Sequence, residues 1–178
     1  MIDRSSSSSS PLPLSVLSLI IKYCGDNDTS IRKFACFAVG NAAFHSNELY
    51  GSLVESVEVL RDAMNDHDEK TRANAAGALG NLIRNGGKLA PVMAEQMVPE
   101  TLMQVVLRDK DVSPQRISLF SLGTMSVYAS CRQAIINSTN PNINELFRKL
   151  KEGDHRNDDT IQKYISRLKQ KLNQPLTE

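Results

Sequence analysis

The sequence predicts an all-α protein built as a linear array of helical repeats, and two observations lead to this prediction. A short phrase with a glycine near its centre occurs three times, at 37–41, 77–81 and 120–124. The glycines stand at positions 40, 80 and 123, so 40 and then 43 residues separate them. A period in this range is typical of repeats that bury an apolar face against their neighbours. The apolar residues between successive turns also recur at helical spacing, which favours helices over strands.

Composition narrows the class of protein further. The chain has 178 residues, 40% of them apolar, and a net charge of +1, which suits one domain with a real core. Near-neutral charge argues against nucleic-acid binding by bulk electrostatics. Since no run of about 18 apolar residues occurs, no membrane span is expected, and the N-terminus lacks the pattern of a signal peptide. Three cysteines without a CxxC pair predict reduced thiols and a cytoplasmic location.

The domain organisation follows from these patterns. Residues 1–13 are predicted to be a disordered N-terminus rich in serine and proline, because an unbroken serine run cannot bury apolar area. The repeat domain is predicted to span 14–178. Its approximate units are 14–46, 47–86, 87–129 and 130–173.

Turn and capping residues predict the individual helices. The turn 25–30 ends with the helix N-cap candidates Thr29 and Ser30. Pro114 suits the first turn of a helix, where its missing N–H is not needed. Gly86 and Gly87 are expected to close the preceding helix as a C-cap. The first predicted helix begins at Leu14, and further helices are predicted at 31–45, 57–64, 69–85, 98–107, 115–128, 142–151 and 159–172. Small helices are also predicted at 49–54 and 88–93, each as the first helix of its repeat.

The fourth unit is predicted to be degenerate and to cap the array. In 159–172 the apolar residues Ile161, Ile165, Leu168 and Leu172 form one stripe, and lysines and an arginine occupy the other face. The last repeat of a solenoid needs a polar outer face, because no neighbour covers it. The alternative is that this helix docks an acidic partner.

The repeated phrase has two parts with different predicted roles. Glycine inside a helix costs about 0.5–1 kcal/mol relative to alanine, so we expect Gly40, Gly80 and Gly123 to mark close helix crossings. The next positions hold Asn41, Asn81 and Thr124. An asparagine amide carries donors and an acceptor together. It therefore either grips the backbone of an extended peptide or bonds within the array to a neighbouring repeat.

The segment Thr71–Leu82 closely resembles the third helix of armadillo repeats, and the similarity extends over about 14–172. This resemblance implies a right-handed α-solenoid of about four armadillo-like repeats, whose third helices line a concave groove for partner proteins. In that family the asparagine of the third helix commonly holds the backbone of the partner. The resemblance places this role on Asn41 and Asn81, while Thr124 departs from the pattern.

Importin-type arrays are similar but place tryptophan four residues before the asparagine. This chain has Phe37, Gly77 and Phe120 at those positions, which argues against a nuclear-import receptor. The segments 31–45 and 71–85 also look like the C-terminal repeats of Fused-type serine/threonine kinases. That family is tied to Hedgehog signalling, motile cilia or cytokinesis, which implies a cytoskeletal or ciliary association. The sequence holds none of the kinase glycine loop, catalytic Asp loop or DFG.

The predicted function is therefore a non-catalytic protein-interaction scaffold that binds a protein or peptide segment along the groove. We expect no enzyme activity, metal or cofactor, because no helix carries histidines at metal-binding spacing and the acidic turn 26–30 lacks the glycine of a calcium loop. The alternative is a regulatory segment of a Fused-type kinase that packs against other domains of its own chain. A third option is a basic end that binds RNA or tubulin, built on Arg148, Lys149, Lys151, Lys163, Arg167 and Lys171. The predicted groove residues are Phe37, Asn41, Phe44, His45, Asn74, Asn81, Arg84, Asn85, Phe120, Thr124 and Tyr128.

Overall fold

The computed structural model describes residues 15–46, 48–85, 87–152 and 154–174, without the side chains of Asn85 and Asp154. The predicted disordered segment 1–13 and the predicted cap residue Gly86 lie outside this part of the chain. Two 3-10 turns occupy Gly87–Leu89 and Asp154–Asn157. The α-helices of the described residues are α1 (Val16–Tyr23), α2 (Thr29–His45), α3 (Tyr50–Leu53), α4 (Ser56–Ala63), α5 (Glu69–Asn85), α6 (Ala90–Glu95), α7 (Val98–Arg108), α8 (Val112–Met125), α9 (Ala129–Asn137), α10 (Ile143–Glu152) and α11 (Asp159–Leu172).

The four long helices form one continuous layer. In chain order α2 packs on α5, α5 on α8 and α8 on α11, while α4 and α7 back α5 and α8 from the other side. The predicted all-α fold, a right-handed α-solenoid of armadillo-like repeats, is confirmed. Helix α11 ends the described array with Ile161, Ile165 and Leu168 buried against it and Lys163 and Arg167 exposed.

The core is aliphatic and runs through the repeats as one continuous cluster. On α5, small buried residues at Ala75, Ala76 and Ala78 let the neighbouring helices approach closely, and Leu79 and Leu82 are fully buried. Because each unit buries its apolar face against its neighbours, the solenoid depends on these contacts between repeats.

Aspartates begin three of the long helices. Asp28 accepts hydrogen bonds from the backbone N–H groups of Ser30 and Ile31 at 2.7 and 3.1 Å. Asp68 and Asp158 cap α5 and α11 in the same way. The first cap was predicted at Thr29 and Ser30, and this prediction is wrong by one or two residues. A carboxylate satisfies the free N–H groups and also suits the positive end of the helix dipole.

Arginines near the start of the long helices link each repeat to the next. Arg32 binds Asp66 through Nε at 2.5 Å, and Arg72 binds Asp109 through Nε at 2.6 Å. Arg116 binds Asp158 at 2.8 Å. Arg32 and Arg72 also donate to backbone carbonyls of their own preceding turns. We call Arg32, Arg72 and Arg116 with these aspartates the turn ladder.

Two helix predictions need correction in the third and fourth units. The helix predicted at 115–128 is α8, and it begins and ends three residues earlier. Pro114 is accommodated at the third helical position, because the first four N–H groups of a helix have no partner within it. Helix α9 was not predicted, since its mixture of small and polar residues has little apolar periodicity. The bounds predicted for 69–85 and 159–172 match α5 and α11.

The predicted close crossings hold for two of the three central glycines. A Cβ on Gly80 would lie 3.0 Å from the Cβ of Ser121, and one on Gly40 would lie 3.4 Å from the Cα of Ala78. For Gly123 the prediction is wrong, because no described atom other than its chain neighbours and the adjacent backbone of its own helix lies within 4 Å of the position of a Cβ. The ring of Tyr128 approaches Gly87 closely instead, since a Cβ there would lie 2.5 Å from its Cε1 atom.

Candidate functional site

One face of the long-helix layer is open to solvent. Beyond its first residue, and among the residues whose side chains are described, α5 leaves only a narrow stripe exposed or half-buried, at Lys70, Asn74, Gly77, Asn81 and Arg84. These positions are four and three residues apart, as expected for a helix that packs on both sides and underneath. We call the matching stripes of α2, α5, α8 and α11 the open face.

The predicted residues of the first repeat lie together at one end of the open face. Phe37 is 54% exposed and Phe44 is 43% exposed, and Asn41 and His45 are exposed beside them. The rings of Phe44 and His45 meet edge to face with centroids 4.9 Å apart. The guanidinium of Arg84, from α5, lies 4.8 Å from the centroid of Phe44. The structure therefore brings predicted residues of the first two repeats into one surface.

The sequence left open whether the asparagines bind the backbone of a peptide or bond to a neighbouring repeat, and the structure differs from one asparagine to the next. Asn74 Nδ2 donates to the carbonyl of Lys33 at 3.0 Å, and Asn81 Nδ2 donates to the carbonyl of Gly40 at 3.1 Å. Both therefore bond to the preceding repeat. Asn41 is exposed and makes no side-chain hydrogen bond within the described part of the chain. The side chain of Asn85 lies outside that part.

The predicted residues of the third repeat make more contacts within the protein itself. Phe120 packs edge to face on Tyr164 with ring centroids 5.6 Å apart. Thr124 donates to the carbonyl of Phe120 in its own helix at 3.2 Å, because its short side chain can reach back one turn. Tyr128 precedes α9, outside α8, and its hydroxyl lies 3.5 Å from the carbonyl of Arg84.

A cavity of about 320 Å³ interrupts the open face between α5, α8 and α11. Arg84 lines it from α5, and Arg167 and Lys171 line it from α11. Lys171 Nζ donates to the carbonyl of Gly123 at 2.6 Å. Burial, with a contribution from the charge of Arg167, lowers the pKa of Lys171 below its ordinary value. The other lining residues are Leu119, Phe120, Gly123, Thr124 and Tyr164.

Sequence reasoning did not place Arg167 and Lys171 beside Arg84, since it assigned them to a separate basic end. A signal was nevertheless available in the charge pattern of the long helices. Acids occur in them only at the first positions of α5 and α11, Glu69 and Asp159. The same four helices carry ten lysines and arginines.

Features that would suit other functions are weak in the described residues. No group of three or more His, Cys, Asp or Glu side chains there is arranged to hold a metal ion. Cys24, Cys36 and Cys131 are buried free thiols. Burial, with a contribution from the charge of Glu100, raises the pKa of Cys131 to about 12, so this thiol is not activated as a nucleophile. None of the described helices combines the length and the apolar character that crossing a bilayer requires.

Comparison with known proteins agrees with this architecture. The HEAT-like repeat family matches residues 29–82. Serine/threonine-protein kinase 36 of Pongo abelii is 31% identical over 121 residues, which cover 68% of this chain and 9% of the kinase. Serine/threonine-protein kinase TIO of Arabidopsis thaliana is 36% identical over 104 residues, which cover 51% of this chain and 8% of that kinase. The chain thus spans less than a tenth of the length of these relatives.

Solved structures share the fold. A computationally designed armadillo repeat protein for modular peptide recognition superposes with a TM-score of 0.76 at 19% identity, over 88% of this chain and 64% of that chain. A designed armadillo repeat protein in complex with the peptide (KR)4 superposes with a TM-score of 0.62 at 16% identity, over 88% and 82%. At this level of identity the likeness concerns the fold alone.

Proposed function

Since the chain is an armadillo/HEAT-like repeat solenoid, we propose that it is a protein-interaction scaffold that binds a segment of a partner protein along the open face. The observation that carries this proposal is the row of partly exposed aromatic side chains on that face. Phe37, Phe44 and Phe120 are each more than 40% exposed and extend along the face from the first repeat to the third. Aromatic residues are enriched at binding surfaces, because they bury a large area at a small cost in conformational entropy.

The polar groups of the same face support a partner in extended conformation. Asn41 lies between Phe37 and Phe44 in the sequence of α2, and its amide makes no hydrogen bond in the described residues. Asn81 uses one N–H on Gly40 and keeps its other N–H and its oxygen. Such amides can pair with the N–H and C=O groups of a peptide backbone. We propose Phe37, Asn41, Phe44, His45, Asn81 and Arg84 as the main contacts.

The designed relatives support the mode of binding but not the ligand. One of them binds the basic peptide (KR)4. In the present chain Arg84, Arg167 and Lys171 line the open face, and like charges across an interface are unfavourable. We therefore expect the partner segment of this chain to be neutral or acidic.

Peptide selection tests the proposal and does not require that the partner be identified first. Random dodecapeptides displayed on phage would be selected on the wild-type chain, and their dissociation constants would be measured by fluorescence polarisation. The double variant Phe37→Ala/Asn41→Ala should weaken the binding of the selected peptides by about tenfold or more, since it removes an aromatic anchor and a backbone contact. Asn81→Ala is a poorer probe, because it also leaves the carbonyl of Gly40 without its donor.

A matched control removes an apolar residue and an asparagine from another surface. Ile136 in α9 is 48% exposed and Asn144 in α10 is exposed, and both lie off the open face. Ile136→Ala/Asn144→Ala should leave peptide affinity unchanged. Equal losses in the two double variants, with circular dichroism showing both folded, would contradict the proposal.

A second candidate is favoured by the similarity to serine/threonine-protein kinase 36 and kinase TIO. In this case the solenoid is a regulatory segment of a Fused-type kinase and packs against its own polypeptide, in the cytoplasm and in association with cilia or the cytoskeleton. Hydrogen exchange of the segment alone and within the full-length product of its gene separates the two candidates. Protection only at the ends of the solenoid favours intramolecular packing, and protection along the open face favours the scaffold.

A further inference from the structure

We propose that the cavity between α5, α8 and α11 binds a phosphorylated serine or threonine side chain of the partner segment. This inference rests on the proposed function, because it names one feature of the segment that the open face holds. The cavity has cations on two opposite sides, with Arg84 on α5 and Arg167 and Lys171 on α11. Helix α8 forms the floor between them.

The charges of the cavity have no counter-ions in the described protein. None of the eight lining residues is acidic. Arg84, Arg167 and Lys171 take part in none of the ion pairs of the described residues. Arg84 contacts the ring of Phe44, and Lys171 donates one of its three N–H groups to Gly123. An incoming anion therefore meets several unused donors and displaces no protein carboxylate.

The surrounding layer strengthens this preference for an anion. The long helices carry ten lysines and arginines and two acids, whereas the whole chain has a net charge of +1. The turn ladder neutralises Arg32, Arg72 and Arg116 with aspartates. The cations that face the cavity have no such aspartate, so their positive charge is not neutralised within the described residues.

The shape of the cavity favours a phosphate over a carboxylate. Gly123 has no side chain, and apart from its chain neighbours and the adjacent backbone of its own helix no described atom lies within 4 Å of where its Cβ would be. The floor is therefore open to a group larger than a carboxylate. A phosphorylated side chain carries a charge of about −1.5 to −2 and three acceptor oxygens, which match three cations that converge on one space. A carboxylate, with a single charge and two oxygens, would leave part of this charge uncompensated.

Fluorescence polarisation with a peptide pool tests the inference on the full 178-residue chain. The pool consists of nine-residue peptides with random flanks and a central phosphoserine, and matched pools carry serine or glutamate at the centre. We expect the phosphoserine pool to bind at least about tenfold more tightly than either matched pool, as removal of one charge-assisted contact changes affinity by this order. Equal affinity for the three pools, or for phosphoserine and glutamate, would overturn the inference.

Two variants locate the site. Arg167→Gln/Lys171→Gln should remove at least about tenfold of the preference for phosphoserine, while Lys163→Gln, an exposed lysine on the same helix, should retain it. Equal losses in both would overturn the location. Amide shifts of Gly123 and Thr124 in NMR titrations with the phosphoserine pool provide a second readout, and unchanged shifts would also count against it. Selected unphosphorylated peptides that still depend on Phe37 and Asn41 would leave the proposed function standing if this inference fails.

Discussion

The arginines of the turn ladder and the cations of the open face carry the same charge and the same kind of N–H donor, but the first are paired with acidic residues and the second are not. Arg72 is 7% exposed and binds two aspartates and two backbone carbonyls. Arg84 is exposed, and its guanidinium lies over the ring of Phe44 without an acidic partner in the described residues. The two arginines stand on one helix, only about three turns apart.

This difference teaches how the molecule separates folding from binding. A buried charge is tolerated only when it is paired and fully hydrogen-bonded, so the ladder arginines are committed to the contacts between repeats. The cations of the open face keep their hydrogen-bonding capacity for a ligand. Substitution of a ladder arginine should therefore change stability, whereas substitution of an open-face cation should change affinity.

The largest expected effect is the loss of stability on substitution of a buried arginine of the turn ladder. Arg72→Ala should lower the free energy of unfolding by about 3–5 kcal/mol, because it leaves buried carboxylate oxygens and carbonyls without a donor. Arg116 is the matched control, since its side chain is 45% exposed and it binds a single aspartate. Arg116→Ala should cost only about 0.2–1 kcal/mol. Urea denaturation followed by circular dichroism measures both values, and similar losses would contradict the distinction.

The ladder also predicts a dependence of stability on pH. Burial acts to raise the pKa of Asp66, but hydrogen bonds from Arg32 and from the backbone N–H of Asp68 outweigh it and leave the pKa below its ordinary value. A carboxyl whose pKa is lowered in the folded state stabilises the protein at every pH above the pKa that it has in the unfolded chain. This contribution is lost as the pH falls through the lower pKa of the folded state. We expect the free energy of unfolding to fall as the pH drops below about 4 and these aspartates become protonated.

Asp66→Asn provides the check on that pH dependence. The gap in unfolding free energy between wild type and variant should be largest near pH 7 and shrink toward pH 3. A gap that stays constant over this range would mean that the hydrogen bonds of Asp66, and not its charge, account for its contribution.

A smaller effect compares two glycines of the repeated phrase. Gly80→Ala should destabilise by about 1–2 kcal/mol, because the new methyl group collides with the side chain of Ser121. Gly123→Ala should instead stabilise by about 0.5–1 kcal/mol, since the position is helical and open. Thermal unfolding of both variants tests this difference in sign, and destabilisation by both would restore the sequence-based view of Gly123.

The smallest effect on stability is expected on the open face. Arg84→Gln and Arg167→Gln should each change the free energy of unfolding by less than about 0.5 kcal/mol, as is usual for exposed positions. The same variants should weaken the binding of anionic peptides to the open face. A loss of stability comparable to that of Arg72→Ala would show that these cations serve the fold.

The fold was predictable from the sequence where a pattern is local. The apolar stripe of 159–172 lies within one helix, and each copy of the glycine phrase is five residues long, so both could be found without knowing any contact between repeats, and both led to correct helices. The turn ladder was missed because its partners are 34 to 42 residues apart, as in Arg32–Asp66 and Arg116–Asp158. The spacing of Asp26 from Arg32 and of Asp66 from Arg72 repeats in the sequence and was a usable signal.

The site was only partly predictable for the same reason. Residues on α2 and α5 share a repeated motif, so Asn41 and Asn81 could be aligned from the sequence. Which of them bonds within the array depends on the preceding helix, and Asn81 reaches Gly40 only because α2 packs beside α5. The cavity could not be predicted without the structure, because it brings Arg84 close to Arg167 and Lys171, which are more than 80 positions later in the chain.

Hydrogen exchange with a bound segment tests the central claim most directly. Amide exchange of the chain would be compared with and without a saturating selected peptide, using mass spectrometry at single-helix resolution. We predict slower exchange in α2, α5 and α8, with little change in α4, α7 and α10 behind them. Protection confined to α1 and to the end of α11, or to the helices behind the layer, would contradict the assignment of binding to the open face.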